Sequence, residues 1–130
     1  MRKAIATDRA PKPIANLSQA VVCNGIVYTA GISARDPKTA KVVPGTIEEQ
    51  IELTMQNVKA ILEASGSSMA NILRMVCYLE SRDHFPALNA AFDKWFSKDS
   101  PPARAVLMVP EFGLPGMLFE VIVTAAQDQN

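Results

Sequence analysis

The stretch Met117-Leu-Phe-Glu-Val-Ile-Val-Thr124 decides the fold class, because it is apolar almost throughout and carries a single charge, Glu120. A run of this kind predicts a buried strand. The segment from Ala103 to Val109 has the same character and also carries one charge, Arg104. A solitary charge in a buried strand is costly to desolvate unless it is paired or binds something. The sequence therefore indicates Arg104 and Glu120 as the first candidates for chemistry.

Further strands are predicted on either side of Asn24-Gly25, a pair that tolerates the positive φ angles of a type I′ turn. They lie between Val21 and Ala30. The segment from Ser33 to Gly45 lacks apolar periodicity and is rich in Pro, Lys and Asp, which predicts an exposed loop. The segment from Ile72 to Glu80 is short and rich in Ile, Leu, Val and Tyr, which favours a strand over a buried helix.

The sequence also predicts two amphipathic helices. The first begins with the capping box Thr46-Ile-Glu-Glu49 and runs to about Ser65, with Gly66 as its C-terminal cap. Its apolar positions recur at helical spacing: Ile47, Ile51, Met55, Val58, Ile61 and Leu62. In the second helix we expect Asp83 as the cap and Pro86 in the first turn. We expect its apolar face to lie in the core: Phe85, Leu88, Phe92, Trp95 and Phe96.

The predicted order is strand, strand, helix, strand, helix, strand, strand, which defines an α+β fold in a single domain over residues 1–130. Two helices can cover only one face of a sheet of about five or six strands. Because the last two strands are apolar at nearly every position, we expect the uncovered face to meet another subunit.

Composition disfavours several classes of protein. Lys plus Arg and Asp plus Glu both total 13, so no net charge draws the chain to nucleic acid or to an anionic membrane. The start lacks a signal-peptide pattern, and no apolar run approaches the roughly 20 residues of a membrane helix, so we expect a soluble, cytoplasmic protein. Cys23 and Cys77 are not at a metal-ligand spacing, and we expect packed, reduced thiols and no metal. We also expect no nucleotide cofactor, because no Walker or G-x-G-x-x-G motif occurs.

The candidate residues suit a small carboxylate ligand. Arg104 offers a planar fork of donors that matches a carboxylate in two-pronged geometry. Glu120 is a candidate for activating water, since burial in an apolar strand raises a carboxyl pKa toward neutral pH. Gly31, directly after a strand, either exposes its amide to a ligand or simply ends the strand. Residue types alone explain the two charges at least as well by a structural ion pair between Arg104 and Glu120.

Several motifs occur in order along nearly the whole chain. They are Ile5-Ala-Thr-Asp-Arg-Ala-Pro11, Val27-Tyr-Thr-Ala-Gly31, Asp36-Pro-Lys-Thr39, Glu49-Gln50, Asn57-Val-Lys-Ala-Ile-Leu-Glu-Ala-Ser-Gly66, Phe85 with Asn89, Pro102-Ala-Arg104 and Phe119-Glu-Val121. This set resembles the RidA/YjgF family of reactive intermediate deaminases, also called endoribonuclease L-PSP proteins. The resemblance implies a chorismate-mutase-like fold assembled as a homotrimer, with ligand clefts between adjacent subunits. It also implies hydrolysis of 2-imino acids, or of their enamine tautomers, to 2-oxo acids and ammonia without metal or cofactor.

The resemblance also implies roles for individual residues. Arg104 matches the family's carboxylate-binding arginine, and Gly31 matches the glycine whose amide meets the same carboxylate. Glu120 matches the glutamate that positions the hydrolytic water. Val106 falls where the backbone contacts the reacting end of the ligand. These roles imply that Arg104 and Glu120 meet in a shared cleft rather than in a simple ion pair.

The expected cleft departs from the family pattern. The deaminases usually have Gly-Pro-Tyr near residues 15 to 17 and Ser-Gly-Gln around residue 31, whereas this chain has Ala15-Asn-Leu17 and Ala30-Gly-Ile32. Leu17 and Ala30 replace polar contacts with apolar surface, and the loss of one such contact costs about 1 kcal/mol. We expect either lower activity or a shift toward bulkier or more apolar substrates.

The leading hypothesis is a hydrolytic imine and enamine deaminase that removes reactive metabolites. The alternative is a non-catalytic module that binds 2-oxo acids or partner proteins in the same cleft, and the residues at positions 17, 30 and 32 keep it open. A third hypothesis, ribonuclease activity, has little support, because the net charge is zero and no basic stripe is present.

Overall fold

A computed structural model describes residues 1–129 as one sheet and two main helices. The strands are β1 (Lys3–Ile5), β2 (Ala20–Cys23), β3 (Ile26–Thr29), β4 (Ile32–Ser33), β5 (Ile72–Leu79), β6 (Ala103–Met108) and β7 (Phe119–Ala126). The helices are α1 (Ile47–Ala64) and α2 (Phe85–Trp95), with short 3-10 turns at Met69–Asn71 and Arg82–His84.

Strand β7, formed by the run that decides the fold class, lies in the middle of the sheet. The strand order is β1-β2-β3-β7-β5-β6, and β4 also pairs with β7. All pairs are antiparallel except β5 with β6, which are parallel. Because β7 has neighbours along both edges, it accommodates a nearly continuous apolar run. Strand β6 lies at the edge of the sheet and pairs with β5 alone.

The predicted hairpin and first helix are confirmed. Asn24 and Gly25 have φ angles of 51° and 77°, as a type I′ turn requires. The Glu49 amide donates to Thr46 Oγ1 at 3.1 Å, and the Thr46 amide donates to Glu49 Oε1 at 2.9 Å, which completes the capping box. Gly66, with a φ angle of 75°, follows the last turn of α1.

Three local predictions need correction. The sheet contains seven strands rather than about five or six, because β1 and β4, with three and two residues, are too short to show an apolar pattern. Strand β4 also includes Ser33, the first residue of the segment expected to be an exposed loop, and the next residue, Ala34, is buried. Asp83 does not cap α2. Instead, Ser81 Oγ accepts a hydrogen bond from the Asp83 amide at the start of the 3-10 turn that leads into α2, and Pro86 lies in the first turn of α2 as predicted.

Helices α1 and α2 cover one face of the sheet, which we call the covered face. Alternate residues of the two central strands are fully buried there: Met75, Cys77, Leu79, Phe119, Val121 and Val123. The predicted apolar face of α1 packs onto them and supplies the buried residues Ile51, Met55, Val58, Ile61 and Leu62. In α2, Leu88 is fully buried, whereas the aromatic residues pack partly buried against the core: Phe85, Phe92, Trp95 and Phe96.

The opposite face, which we call the uncovered face, carries exposed apolar side chains. Tyr28, Leu107 and Ile122 are 51%, 47% and 39% exposed. The expectation that Arg104 lies in a buried strand is wrong for a single chain, because most of edge strand β6 is exposed. The apolar residues of β6 therefore do not form an internal core within one chain.

The two cysteines have different surroundings. Cys77 is buried on the covered face, and burial raises the pKa of its thiol to about 12, an effect that the nearby charge of Arg104 opposes. Cys23, on β2, is partly exposed. Both thiols are free, so the expected packing holds for Cys77 but only in part for Cys23.

Candidate functional site

Gly31 and Glu120 lie side by side where the segment after β3 meets the middle of β7. Ile32 pairs with Val121, and Ser33 pairs with Glu120. A Cβ added to Gly31 would lie 3.0 Å from Cδ of Glu120 and closer still to one carboxylate oxygen. A larger residue at this position would displace the end of the Glu120 side chain, and no unusual φ angle is involved.

The Gly31 amide is held in place by its neighbours. Thr29 Oγ1 donates to the Ala30 carbonyl at 2.8 Å and accepts a hydrogen bond from the Val123 amide at 2.9 Å, which ties the end of β3 to β7. Gly31 itself is exposed, and none of the loop hydrogen bonds among residues 1–129 uses its amide. A fixed and unused amide of this kind is suited to donate to a ligand.

Glu120 is half-buried on the uncovered face. Its neighbours in register are Tyr78 on β5 and Ser33 on β4. Burial raises the pKa of the Glu120 carboxyl group above its ordinary value of 4.5. In the described chain, no salt bridge includes this carboxylate. An unpaired carboxylate with a raised pKa has the properties of a general base or acid.

Arg104 lies on the covered face of edge strand β6. It pairs in register with Met75, whose side chain is buried beneath the helices. The central carbon of its guanidinium lies 4.8 Å from the centre of the Phe92 ring, which is a cation–π contact. Arg104 is exposed and belongs to none of the salt bridges found within residues 1–129. The charge is thus oriented by an aromatic ring and has no carboxylate partner.

Arg104 and Glu120 lie on opposite faces of the sheet. Arg104 is in register with Met75 and Glu120 with Tyr78, and these two residues of β5 are separated by an odd number of positions. Side chains alternate between the faces along a strand, so the guanidinium and the carboxylate point in opposite directions. The ion pair considered from the sequence is therefore absent, and one chain does not form the shared cleft. Any site that uses both groups must combine two chains.

Leu17 and Ala30 line a small pocket together with Gly31. The other residues that line it are Pro11, Pro13, Gln19, Ile32, Ser33, Arg35 and Ile61. Leu17 is 52% exposed, whereas Gln19, Ile32 and Ser33 of the same pocket are buried. The structure thus brings Leu17 and Ala30 together with Gly31, and Gly31 with Glu120.

Val106 belongs to the other half of the candidate site. It lies on the covered face two residues after Arg104, in register with Cys77 and partly buried against the core. The sequence reasoning missed Phe92, which it assigned to the core alone. The apolar spacing of α2 indicates burial, but it carries no signal that the ring of Phe92 also supports the Arg104 guanidinium.

Across residues 1–129, no group of three or more His, Cys, Asp and Glu side chains is arranged to hold a metal ion. The helices of the same range do not include one that is both long and apolar enough to cross a membrane. The groups that the candidate site offers to a ligand are a backbone amide and a carboxylate on one part of the chain and a guanidinium on another.

Comparison with known proteins identifies the class. A sequence profile described as Endoribonuclease L-PSP matches residues 7–127. A RutC family protein of Saccharolobus solfataricus is 39% identical over 126 residues, which cover 96% of this chain and 98% of the relative. The solved structure of RidA from the Antarctic bacterium Psychrobacter sp. has a TM-score of 0.89 at 31% identity and covers 95% of this chain and 98% of its own. The structure of TdcF from E. coli with bound serine has a TM-score of 0.85 at 28% identity and covers 97% and 99%.

The sheet topology defines a chorismate-mutase-like α+β fold, in which two helices cover one face of a mixed sheet. The chain belongs to the RidA/YjgF family, whose members are also described as endoribonuclease L-PSP and RutC proteins. The relative and the two solved structures are matched over nearly their whole length, so the similarity includes both halves of the candidate site.

Proposed function

We propose that the protein is a hydrolytic deaminase that converts 2-imino acids, or their enamine tautomers, to 2-oxo acids and ammonia. One observation carries the proposal: Gly31, whose amide makes no hydrogen bond among the described residues, lies beside the half-buried Glu120 carboxylate. An amide and a guanidinium are donors for a carboxylate, and a carboxyl group of raised pKa is suited to activate water. Membership of the RidA/YjgF family supports the same roles for Gly31, Glu120 and Arg104.

In the proposed complex, the substrate carboxylate is bound by groups from two chains. Arg104 of one chain donates two parallel hydrogen bonds, and the Phe92 ring limits the rotation of its guanidinium. The Gly31 amide of the neighbouring chain donates a third hydrogen bond. Because Arg104 and Glu120 lie on opposite faces of one chain, a substrate that meets both residues lies between two chains.

The proposal therefore includes a homotrimer with a cleft between each pair of adjacent subunits. The uncovered face supports this assembly, since Tyr28, Leu107 and Ile122 leave apolar surface exposed in one chain. A closed cyclic assembly buries such a face without leaving an open edge. The two free thiols fit the cytoplasm as the proposed compartment.

In the proposed reaction, Glu120 accepts a proton from water while the water oxygen attacks the imine carbon. A C–O bond forms, the C=N electron pair moves to nitrogen, and Glu120 returns its proton to that nitrogen, which restores the carboxylate. The resulting carbinolamine passes its hydroxyl proton to the nitrogen by way of Glu120, the C–N bond breaks, and ammonia leaves the 2-oxo acid. The backbone of Val106 is assigned to the reacting end of the substrate. An iminium carbon is already electrophilic, so positioning supplies much of the rate, and the proposal uses neither metal nor cofactor.

A second candidate function is supported by Leu17 and Ala30, which present apolar surface beside Gly31. In this alternative, the cleft retains 2-oxo acids or a partner protein and does not turn over imines. Ribonuclease activity is suggested by the description of the family alone, and the net charge of zero argues against it. Preparations freed of contaminating nucleases are expected not to cleave RNA.

The test generates 2-iminobutyrate and 2-iminopropionate in situ with an amino-acid oxidase and traps the surviving imine with semicarbazide. The protein is expected to reduce the trapped imine, and Arg104→Ala is expected to lose this effect. Arg82→Ala is the matched control, because Arg82 is an exposed arginine in the 3-10 turn before α2. Unchanged turnover in Arg104→Ala overturns the assigned role. No effect of the wild-type protein, together with calorimetric binding of 2-oxobutyrate, favours the binding module.

A further inference from the structure

Three polar side chains are buried on the inner side of α1. They belong to Gln50, Thr54 and Asn57, whose exposed fractions are 2%, 0% and 1%. Their spacing in the sequence places them along one side of the helix. Burying a polar group costs free energy unless it is hydrogen-bonded, so the partners of these side chains indicate what each one does.

Asn57 holds the segment that follows Gly31. Its side-chain Nδ2 donates to the Ser33 carbonyl at 3.0 Å and to the Arg35 carbonyl at 2.9 Å. Ser33 belongs to β4 and is in register with Glu120 of β7. Because β4 has only two residues, its pairing with β7 gives it few hydrogen bonds. Asn57 therefore supplies a second attachment for the segment that places the Gly31 amide beside Glu120.

Gln50 holds the segment that leads into β7. Its Nε2 donates to the Gly116 carbonyl at 2.7 Å and to the Val43 carbonyl at 3.3 Å, and its Oε1 accepts a hydrogen bond from the Leu118 amide at 2.8 Å. Leu118 directly precedes β7 and lies two residues before Glu120. Helix α1 thus anchors the beginning of the strand that carries Glu120, in addition to β4.

We infer that Gln50 and Asn57 are positioning residues, which hold the Gly31 amide and the Glu120 carboxylate at the separation that the candidate site requires. This inference rests on the proposed function for the importance of that pair to catalysis. Both side chains are buried and donate to backbone groups, so they act through β4 and β7 rather than on the substrate. A misplacement of about 1 Å in a reacting group costs up to about 10²-fold in rate.

Thr54 provides a matched control on the same side of α1. Its Oγ1 donates to the Gln50 carbonyl at 2.7 Å, so its hydrogen bond stays within the helix. Thr54→Val removes this hydrogen bond at a fully buried position and leaves β4 and the segment before β7 attached. Asn57→Leu and Gln50→Met, in contrast, retain the approximate side-chain volume and remove the amides that hold those segments. Asn57→Ser keeps a hydroxyl donor and takes the place of Asn57→Leu when the latter does not fold.

The first readout is an NMR measurement of the pairing of Gly31 with Glu120, and it needs no turnover. The chain has six glycines, so nitrogen-15 labelling of glycine gives a simple amide spectrum, in which Gly31→Ala identifies the Gly31 signal by its loss. Glu120→Gln is expected to shift this signal, because the carboxylate lies beside Gly31. We expect Asn57→Leu and Gln50→Met each to reduce that shift by about half or more, and Thr54→Val to retain it.

The second readout is the imine-trapping assay, compared with the free energy of unfolding from urea denaturation. For Asn57→Leu and Gln50→Met we expect kcat/KM to fall about tenfold or more under conditions in which each variant is folded. Thr54→Val is expected to lose stability but to keep kcat/KM within about twofold of the wild type. Asn57→Ser should lie between the wild type and Asn57→Leu in both readouts.

A reduced NMR response in the Asn57 and Gln50 variants, with an unchanged response in Thr54→Val, supports the inference even when the wild type turns over no imine. In that case the proposed function alone fails. An unchanged response in either variant overturns the inference, and so does an equal reduction in Thr54→Val, because the buried polar side chains then contribute only core stability. In an active protein, a reduced response with wild-type kcat/KM also overturns it, since the geometry that the two amides hold then has no importance for catalysis.

Discussion

The two faces of the sheet differ in how completely a single chain buries their side chains. On the covered face, alternate residues of β5 and β7 are buried against α1 and α2, and the core is closed. On the uncovered face, Tyr28, Leu107 and Ile122 remain exposed, and Glu120 lies beside Gly31. The stability of one chain therefore resides mainly on the covered face, whereas the proposed chemistry combines Glu120 of the uncovered face with Arg104 at the exposed edge of the covered face.

The same comparison separates two charges that look alike in the sequence. Arg104 and Glu120 each stand alone in an apolar strand, yet Arg104 lies on the covered face at the sheet edge and Glu120 on the uncovered face at the sheet centre. Only the strand register distinguishes these positions. Their separation is the physical basis for placing the candidate site between chains.

The largest expected effect is on activity, from Glu120→Gln. We expect the imine-trapping assay to show a loss of about 10²–10⁴-fold, the usual contribution of a general acid or base. The wild-type kcat/KM falls as pH drops through the raised pKa of Glu120, because the reaction needs the carboxylate. The acid limb of the pH profile is absent in the variant. Retention of wild-type activity would contradict the assigned role.

The same variant also tests the burial of Glu120 through stability. A raised pKa in the folded chain means that folding favours the protonated carboxyl group of Glu120. The stability that this group contributes is therefore fully present below its ordinary pKa of 4.5 and is lost as pH rises through the raised pKa. Glu120→Gln should therefore be more stable than the wild type at pH 7, and this advantage should shrink at acid pH. Urea denaturation at fixed protein concentration measures the difference.

The next effect contrasts two residues of β7. Phe119→Ala should lower the free energy of unfolding by about 3–5 kcal/mol, because the ring is fully buried on the covered face. Ile122→Ala, on the uncovered face and 39% exposed, should change the fold of one chain little and instead weaken subunit association. Urea denaturation and sedimentation velocity measure the two effects. Equal destabilisation by both substitutions would erase the distinction between the faces.

A smaller effect is expected from Gly31→Ala. The added methyl group meets the carboxylate end of Glu120, which is flexible and moves away, so the free energy of unfolding changes little. Activity should nevertheless fall, because the carboxylate is displaced from the Gly31 amide. Gly113→Ala is the control, since an added Cβ meets nothing within 4 Å there. Unchanged kcat/KM in Gly31→Ala would indicate that the pairing of Gly31 with Glu120 has no catalytic importance.

The smallest perturbation is thiol labelling of the native protein. Cys77 is buried and its pKa is raised to about 12, so it should resist iodoacetamide at pH 8. Cys23 is partly exposed and should be modified first. Mass spectrometry of the labelled peptides identifies the site. Rapid modification of Cys77 would show that the covered face opens readily.

Most of the fold follows from local patterns in the sequence. The capping box at Thr46 and the Asn24-Gly25 turn act through nearby backbone groups, so both were predictable. β1 and β4 were not, because strands of three and two residues are defined by their partners. Asp83 does not cap α2 because it lies inside the 3-10 turn that begins after Ser81, and His84 occupies the capping position of α2.

The candidate site was predictable in its residue types but not in its geometry. Solitary charges indicate Arg104 and Glu120, the position after a strand indicates Gly31, and the resemblance implies its role. The face on which each side chain lies depends on the register of β5 with β6 and β7, which no local pattern in the sequence reveals. The contact of Arg104 with Phe92 likewise depends on how α2 packs beside β6.

The most direct test of the central claim mixes two inactive variants. Arg104→Ala and Glu120→Gln are each purified, confirmed inactive with 2-iminobutyrate, combined in equal amounts, dissociated and reassembled. A site that takes Glu120 from one chain and Arg104 from its neighbour should regain about one quarter of wild-type activity, because random assembly in a closed ring restores both residues in that share of sites. If the mixture stays inactive after subunit exchange has been verified, the site is not shared between chains and the account is contradicted.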